Sequence, residues 1–258
     1  MKILALWLAA VGVFDHAAWD KLLKLRVNAT GEVDYAAMKT ARQELDAYVA
    51  SLAGASPDSR KDLFPDRAAE LAYWLNAYNA LVVKGVVDGY PTGSVRDLGF
   101  LYGFFRRDDY TLGGKKVSLR TLENDIIRKR YQDPRIHFAI VCASISCPRL
   151  DREAFTGPAL SAQLDRLTRA AMTENRNVAI NAAAKTVTLT ALFKWYAGDF
   201  GPALDYVRRY STPERVKLLD ALGPNPRLEF FDYDWSINEP GSRAKAKLGY
   251  ERELAQTR

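Results

Sequence analysis

Residues 70–87 read ELAYWLNAYNALVVKGVV. Wound as a helix, this stretch places apolar residues on almost every side, and a helix of that kind is covered by other elements. Gly89-Tyr90-Pro91 follows it, the glycine-and-proline signal of a helix end. The sequence therefore predicts a central buried helix with the rest of the chain arranged around it. Upstream, HAAWDKLLKL (16–25) has a short amphipathic pattern and VNATGEVDY (27–35) turns about Gly31. Residues 35–53 keep Met38, Leu45, Tyr48, Val49 and Leu52 at helical spacing, which predicts a second long helix.

Downstream the periodicity changes at Phe104. FFRRDDYTL, Gly113-Gly114 and KKVSL read as a β-hairpin with a two-glycine turn. Ser118 is placed to cap a helix over LRTLENDIIRKRY (119–131), which Asp133-Pro134 closes. IHFAIVCA (136–143) is continuously apolar, as a strand covered on both faces is. A helix from about 158 to 174 precedes a second hairpin, NVAIN (177–181) with KTVTLT (185–190). ALFKWYAGDF (191–200) reads as a helix ended by Gly198, Thr212-Pro213 opens another, and RLEFFDYDW (227–235) is a last strand. Helices come first, and strands gather in the middle and at the end. That order predicts an α+β fold, one domain over 13–240 with a small, largely antiparallel sheet packed against several helices.

The termini differ from this body. In MKILALWLAAVGVF, Lys2 precedes an apolar run from Ile3 to Val11, and Ala10-Val11-Gly12 offers small residues where a signal peptidase reads. Residues 1–12 are expected to be a secretory signal, which makes the mature protein periplasmic or secreted; the competing reading is a first helix docked on the core. No segment reaches the roughly 18 apolar residues of a membrane span. The net charge of +6 is concentrated in residues 101–135, with nine Lys/Arg against five Asp/Glu, and in a basic tail, 241–258, with five against two. The first segment mixes its signs as solvated surface does. Weak attraction to anionic envelope surfaces is expected. Nucleic-acid binding is not, because zinc-finger spacing, an aromatic RNA-binding signature and a sustained basic stripe are all missing.

The chain has two cysteines and two histidines. Cys142 and Cys147 are five apart without a second cluster, so neither a structural zinc site nor a CxxC redox motif is present, and no metal or cofactor is expected. On an extended strand His137 and Cys142 stand about 16 Å apart on opposite faces, far beyond the ~3 Å of a direct dyad. Any site here belongs to the turn from Cys142 through Ser144 and Ser146 to Cys147. Its histidine is then His16 or a folded-back His137. A reactive thiol, a Cys142–Cys147 disulfide and a pair of inert thiols all remain open.

Glu123 falls at about 40° on a helical wheel on which Leu119, Leu122, Ile126 and Ile127 lie at about 0°, 300°, 340° and 80°. A carboxylate inside the apolar stripe needs a partner. It is either an orienter or acid/base group with a raised pKa, or half of an ion pair with Arg130 or Arg96. Asn76 and Asn79, with Tyr73 on the face of Asn76, place amides in the buried helix, where they pin a loop or point donors at an anionic intermediate. Asp199, beside Gly198, offers a loop carboxylate among aromatics that otherwise read as core.

FDHAAWDKLL, AYWLNAYNALVV with GYP, YTLGGKKVSLRTLENDIIRKR, DPRIHFAIVCASISCPRL and FKWYAGDF occur in an order that resembles the family of domain of unknown function 547, in its bacterial envelope form. The resemblance runs from about residue 13 to 238 and implies one domain behind a signal peptide, with no established activity. Asn124 departs from it, standing where relatives carry histidine. Two functions fit these residues. One is a thiol-dependent hydrolase or acyl transferase acting on a small-molecule or peptide substrate. In it Cys142 or Cys147 is the nucleophile, His16 or His137 the base, Glu123 the orienter, and Asn76 or Asn79 the oxyanion donor, as in cysteine-protease and transglutaminase-like folds. The other is a non-catalytic binding domain with a structural disulfide.

Overall fold

The computed structural model describes residues 12–99 and 103–244. Helices α1 (Ala17–Arg26), α2 (Tyr35–Thr40) and α3 (Arg42–Gly54) come first, so the helix predicted over 35–53 is two helices that break at Ala41. The predicted central helix forms as α4 (Arg67–Gly89). The Asp66 side chain starts it by accepting the Ala69 N–H at 2.8 Å, one of the amides that helix geometry leaves unpaired. Its side chains are buried along nearly the whole length, against α2, α3 and elements that follow.

After α5 (Gly103–Arg106) comes the hairpin of β1 (Tyr110–Leu112) and β2 (Lys115–Val117). FFRR therefore winds as a helix before the strand and is not part of it. Gly113 and Gly114 have φ of 53° and 81°, the left-handed pair that a tight two-residue hairpin turn demands. Ser118 caps the next helical run as predicted, its Oγ accepting the Thr121 N–H at 3.1 Å. That run is α6 (Leu119–Thr121), a π-helical segment Leu122–Arg128, and α7 (Lys129–Tyr131). π-turns inside helices recur at functional sites, and this one carries Glu123.

The strand expected at 136–143 is absent. Pro134–Phe138 is a 3₁₀ turn, and the chain then runs irregularly past α4. Asn79 replaces a neighbouring strand there, donating Nδ2 to Ala139 O (2.9 Å) and accepting the Val141 N–H at Oδ1 (3.0 Å). Continuous apolarity reports burial, and it is the same for a strand and for an irregular segment whose polar groups are met by a side chain.

The second half contains α8 (Leu160–Thr173), β3 (Val178–Asn181), β4 (Thr186–Leu189), α9 (Leu192–Trp195), α10 (Ala197–Phe200), α11 (Ala203–Tyr210), α12 (Pro213–Ala221) and β5 (Arg227–Phe230). The helix predicted over 191–200 is interrupted at Tyr196, and Gly201 (φ 67°), not Gly198, follows its last turn. β3 and β4 pair antiparallel as predicted, whereas β5 joins β4 in parallel, so the three-stranded sheet is mixed. The fold is α+β. One core surrounds α4. A second joins Phe138 and Met172 to Val187, Phe193 and Phe200 of the sheet and later helices.

Beyond β5 the chain returns to the first half. Isolated bridges join Ser94 to Ser236 and Ser144 to Ile237, and the Val33 N–H donates to Asn238 O at 2.9 Å. Of the expected leader (1–12) and basic tail (241–258), all but Gly12 and residues 241–244 lie outside the described residues. No helix among the described residues is long and apolar enough to cross a membrane.

Candidate active site

A cavity of about 500 Å³ opens where the two cores and the returning C-terminal segment meet. Its lining includes Glu123, His137, Cys142 and Cys147. The π-helical segment supplies Glu123, the 3₁₀ turn supplies His137, and the irregular run pinned by Asn79 delivers the cysteine turn.

Glu123 has hydroxyl partners in place of a cation. Tyr196 donates to Oε1 at 2.6 Å and Tyr78 to Oε2 at 3.2 Å. Burial raises the pKa of this carboxyl above the usual carboxylate range, and the two hydroxyls only partly offset that. The ion pair expected with Arg130 or Arg96 is not formed. Arg130 holds Asp58 at 2.7 and 3.0 Å on the surface, and Arg96 lies over the Trp235 ring, 5.0 Å from its centroid. Glu123 is thus an acid that two tyrosines orient and a largely apolar cavity keeps prone to hold its proton.

His137, only 2 % exposed, bonds through Nε2 to Asp199 Oδ2 at 2.7 Å and stacks on Tyr196 at 4.1 Å between centroids. A carboxylate partner normally raises an imidazole pKa, yet burial depresses this one to about 4. Desolvation outweighs the Asp199 bond, and the nearby Arg128 charge adds a smaller push the same way; Arg128 also grips Asp199 at 2.7 and 3.0 Å and holds its carboxyl below the usual range. His137 is therefore a neutral imidazole that donates its Nε2 proton. Arg128 also covers Tyr196 from 4.6 Å, so the ring that holds Glu123 is clamped between a guanidinium and an imidazole.

Cys142 and Cys147 are at disulfide distance and bonded, with Cα atoms 6.1 Å apart. Cys142 Sγ lies 3.0 Å from Ser144 Oγ and 3.1 Å from the Tyr233 hydroxyl, and Cys147 Sγ accepts the Cys142 N–H at 2.7 Å. Two hydroxyls thus face the Cys142 sulfur and one backbone amide faces that of Cys147. Both cysteines line the cavity, and Cys142 is the more exposed residue of the two. Trp195, Tyr233 and Trp235, with ring centroids 4.6–5.9 Å apart, form an aromatic cluster in the lining that reaches the cysteine turn through Tyr233.

Other candidates lie away from the cavity. His16 bonds Tyr48 through Nδ1 at 2.7 Å beside α3, and burial depresses its pKa to about 4. Asn76 clamps Phe155 as Asn79 clamps 139–141, with contacts of 2.8 and 2.9 Å, so both amides are occupied by backbone. Tyr73 donates to Leu52 O and Ala55 O. Ser146 Oγ accepts the Asp234 N–H at 2.9 Å and holds the turn to the C-terminal segment. Tyr78, Tyr196, Tyr233 and Arg128 were not singled out from the sequence. Their signal was their position beside Asn79, Asp199 and Asp234, in runs that otherwise read as core. Among the described residues no group of three or more His, Cys, Asp or Glu is placed to hold a metal ion.

No curated protein and no solved structure matches the chain. A family model matches a span narrower than the 13–238 over which the motifs resemble it, and Trp195, Tyr196, Asp199, Tyr233 and Trp235 of the cavity fall beyond that span. Residues 64–170 match the model described as "Protein of unknown function, DUF547".

Proposed function

We propose that the cavity is a thiol-dependent acyl-transfer or hydrolytic site, latent while Cys142 and Cys147 are bonded. The observation that carries this reading is the convergence of Cys142, Cys147, Glu123 and His137, from three separate segments, on one cavity. The reading takes the protein to be exported, so that the pair forms in an oxidising compartment. An external dithiol then reduces it and is itself oxidised to a disulfide, giving two electrons and two protons to the cysteines.

Cys142 is the nucleophile, because it is the more exposed of the two cysteines and its sulfur faces two hydroxyls that favour the thiolate. The thiolate attacks a carbonyl carbon, a C–S bond forms and the carbonyl pair moves to oxygen. Collapse of this adduct restores the carbonyl and breaks the bond to the leaving group, which takes the Glu123 proton. Water then adds to the thioester and returns a proton to Glu123, releasing the acid and the thiolate. His137, with Asp199 and Arg128, holds Tyr196 and hence Glu123. In this reading it acts as a support, stacked on Tyr196 and bonded through Nε2 to Asp199.

The test is to reduce the protein, remove the reductant and follow iodoacetamide labelling near neutral pH, with a panel of thioester and activated-ester substrates alongside. Cys142 is expected to label faster than free cysteine and to turn over at least one ester class, with turnover lost in Cys142→Ser and reduced in Glu123→Gln. Labelling no faster than free cysteine overturns the reading.

The bonded pair itself favours a second function, a binding domain in which the disulfide staples the turn. On that reading reduction costs several kcal/mol of stability and reveals no fast thiol.

A further inference from the structure

We infer that Arg176 and Arg243, both outside the family-matched stretch, are positioning residues that hold the cysteine turn by its carbonyls and bias the reduced Cys142 toward the thiolate. Arg176 donates Nη1 to Cys147 O at 2.8 Å and to Ile145 O at 3.3 Å. Arg243 donates Nη2 to both Cys147 O and Pro148 O at 3.0 Å. Two guanidiniums thus converge on Cys147 O from different segments, one after α8 and one from the returning C-terminal chain. No other part of the turn is gripped this way. Fixing four bonds to three consecutive or near-consecutive carbonyls requires either a structural need or a charge to be served, and the electrostatics point to the second.

Three cations, Arg149, Arg176 and Arg243, stand around the turn against Glu174, Glu32 and Asp234, of which Asp234 is exposed to solvent. Glu174 pairs with both Arg149 (2.5 Å) and Arg176 (2.6 Å), so one carboxylate serves two cations. Glu32 accepts the Arg243 backbone N–H at 2.8 Å and also serves Asn28 and Thr30. Asp234 caps the Ser236 N–H at 2.9 Å, and Glu123 lies across the cavity among its tyrosines, inclined to keep its proton. Arg176 Nη2 and Arg243 Nε are buried without a partner. Burial lowers Arg243 to about 9, still a cation at neutral pH.

Tyr233 reports the field at the sulfur, because its hydroxyl is 3.1 Å from Cys142 Sγ. Burial raises that hydroxyl to about 12; against it the Ser144 bond and then the charge of Arg176 pull it down, Glu123 pushes it up, and Arg243 pulls it down by less. Burial opposes an anion there, and the charges of Arg176 and Arg243 work against that burial, at the hydroxyl and at the neighbouring sulfur alike.

The inference rests on the thiol reading of the site, and one experiment separates their failures. The rate of Cys142 alkylation by iodoacetamide is measured from pH 5 to 9 on fully reduced full-length protein, for the parent, Arg176→Gln, Arg243→Gln and the charge-retaining Arg176→Lys. The parent is expected to titrate below the ~8.5 of free cysteine. Each Gln variant should titrate about one unit higher, a roughly tenfold slower rate on the acid limb, with Arg176→Lys close to the parent. A merely structural role moves the melting temperature and leaves the midpoint in place. If Arg243→Gln fails to fold, Arg176→Gln, on the less buried of the two, decides. A folded Arg176→Gln with the parent's midpoint overturns the inference. A parent that titrates as free cysteine overturns the thiol reading itself.

Discussion

Replacing Asn79 by alanine should cost this protein about 4 kcal/mol, because one side chain carries the backbone that leads to Cys142. Asn79 is 1 % exposed, and its amide makes two bonds, 2.9 Å to Ala139 O and 3.0 Å to the Val141 N–H. No strand partner stands behind those backbone groups, since residues 139–143 are irregular. Alanine leaves a buried carbonyl and a buried amide unpaired, at about 1–3 kcal/mol each, or roughly 2–6 kcal/mol together. At the size of this chain about 4 kcal/mol lowers the melting temperature by about 8–16 °C. Asn79→Asp refines the test. Its Oδ1 still accepts from Val141, but an oxygen now faces Ala139 O, and at neutral pH it brings a buried charge. Asn79→Asp should therefore be at least as damaging as alanine at pH 7 and recover in acid, where a protonated carboxyl donates to Ala139 O. Thermal melts at pH 7 and pH 4 read both effects. A loss under about 1 kcal/mol for Asn79→Ala, or no acid recovery of Asn79→Asp relative to the parent, refutes the clamp.

Three other outcomes follow from the same geometry. The folded state raises the Glu123 pKa, so the protonated group's stabilisation is complete below the unfolded value of 4.5 and is lost as pH rises through the folded value; Glu123→Gln should raise the melting temperature relative to the parent at pH 7–8, and this gain should vanish below pH 4.5. Burial lowers His137 and His16 to about 4, so the stability held in their neutral forms is present above the unfolded value of 6.5 and falls away as pH drops from there toward 4. Proton NMR of the two imidazoles should show both neutral at pH 5, and a ring that titrates near 6.5 is incompatible with this burial. At Gly31, φ is 75° and an added Cβ would stand 2.7 Å from Arg149 Cα, so Gly31→Ala combines left-handed strain of about 1–2 kcal/mol with a backbone clash; a urea midpoint within error of the parent contradicts the close approach.

Much of the local structure was legible in the chain. Apolar residues on all sides of 70–87 predict the buried α4, Gly113-Gly114 predicts the hairpin turn, and Ser118 and Thr212-Pro213 predict helix starts that form where expected. These are short-range effects, set by residues within a turn or two of each other. The wheel also singled out Glu123, which lines the cavity, because a charged residue inside an apolar stripe is visible without coordinates. The failures are equally physical. The strand at 136–143 was misread because apolar continuity measures burial and not backbone shape. The sequence left the Glu123 partner open between an ion pair and a hydrogen bond, because a wheel ranks helical neighbours, while Tyr196 arrives from 73 residues away.

The sequence by itself determined which segments are helical or turned, that polar groups are buried in them, and that both cysteines sit in one turn. The tertiary structure alone decided that this turn meets Glu123 and His137, that Asn79 and Asn76 are spent on backbone, and that Arg176 and Arg243 close on Cys147 O. Helical and turn preferences act over a few residues, whereas a site is made by contacts between groups tens to hundreds of residues apart. Those contacts are set by how the two cores and the returning C-terminal segment pack together, which no local pattern records.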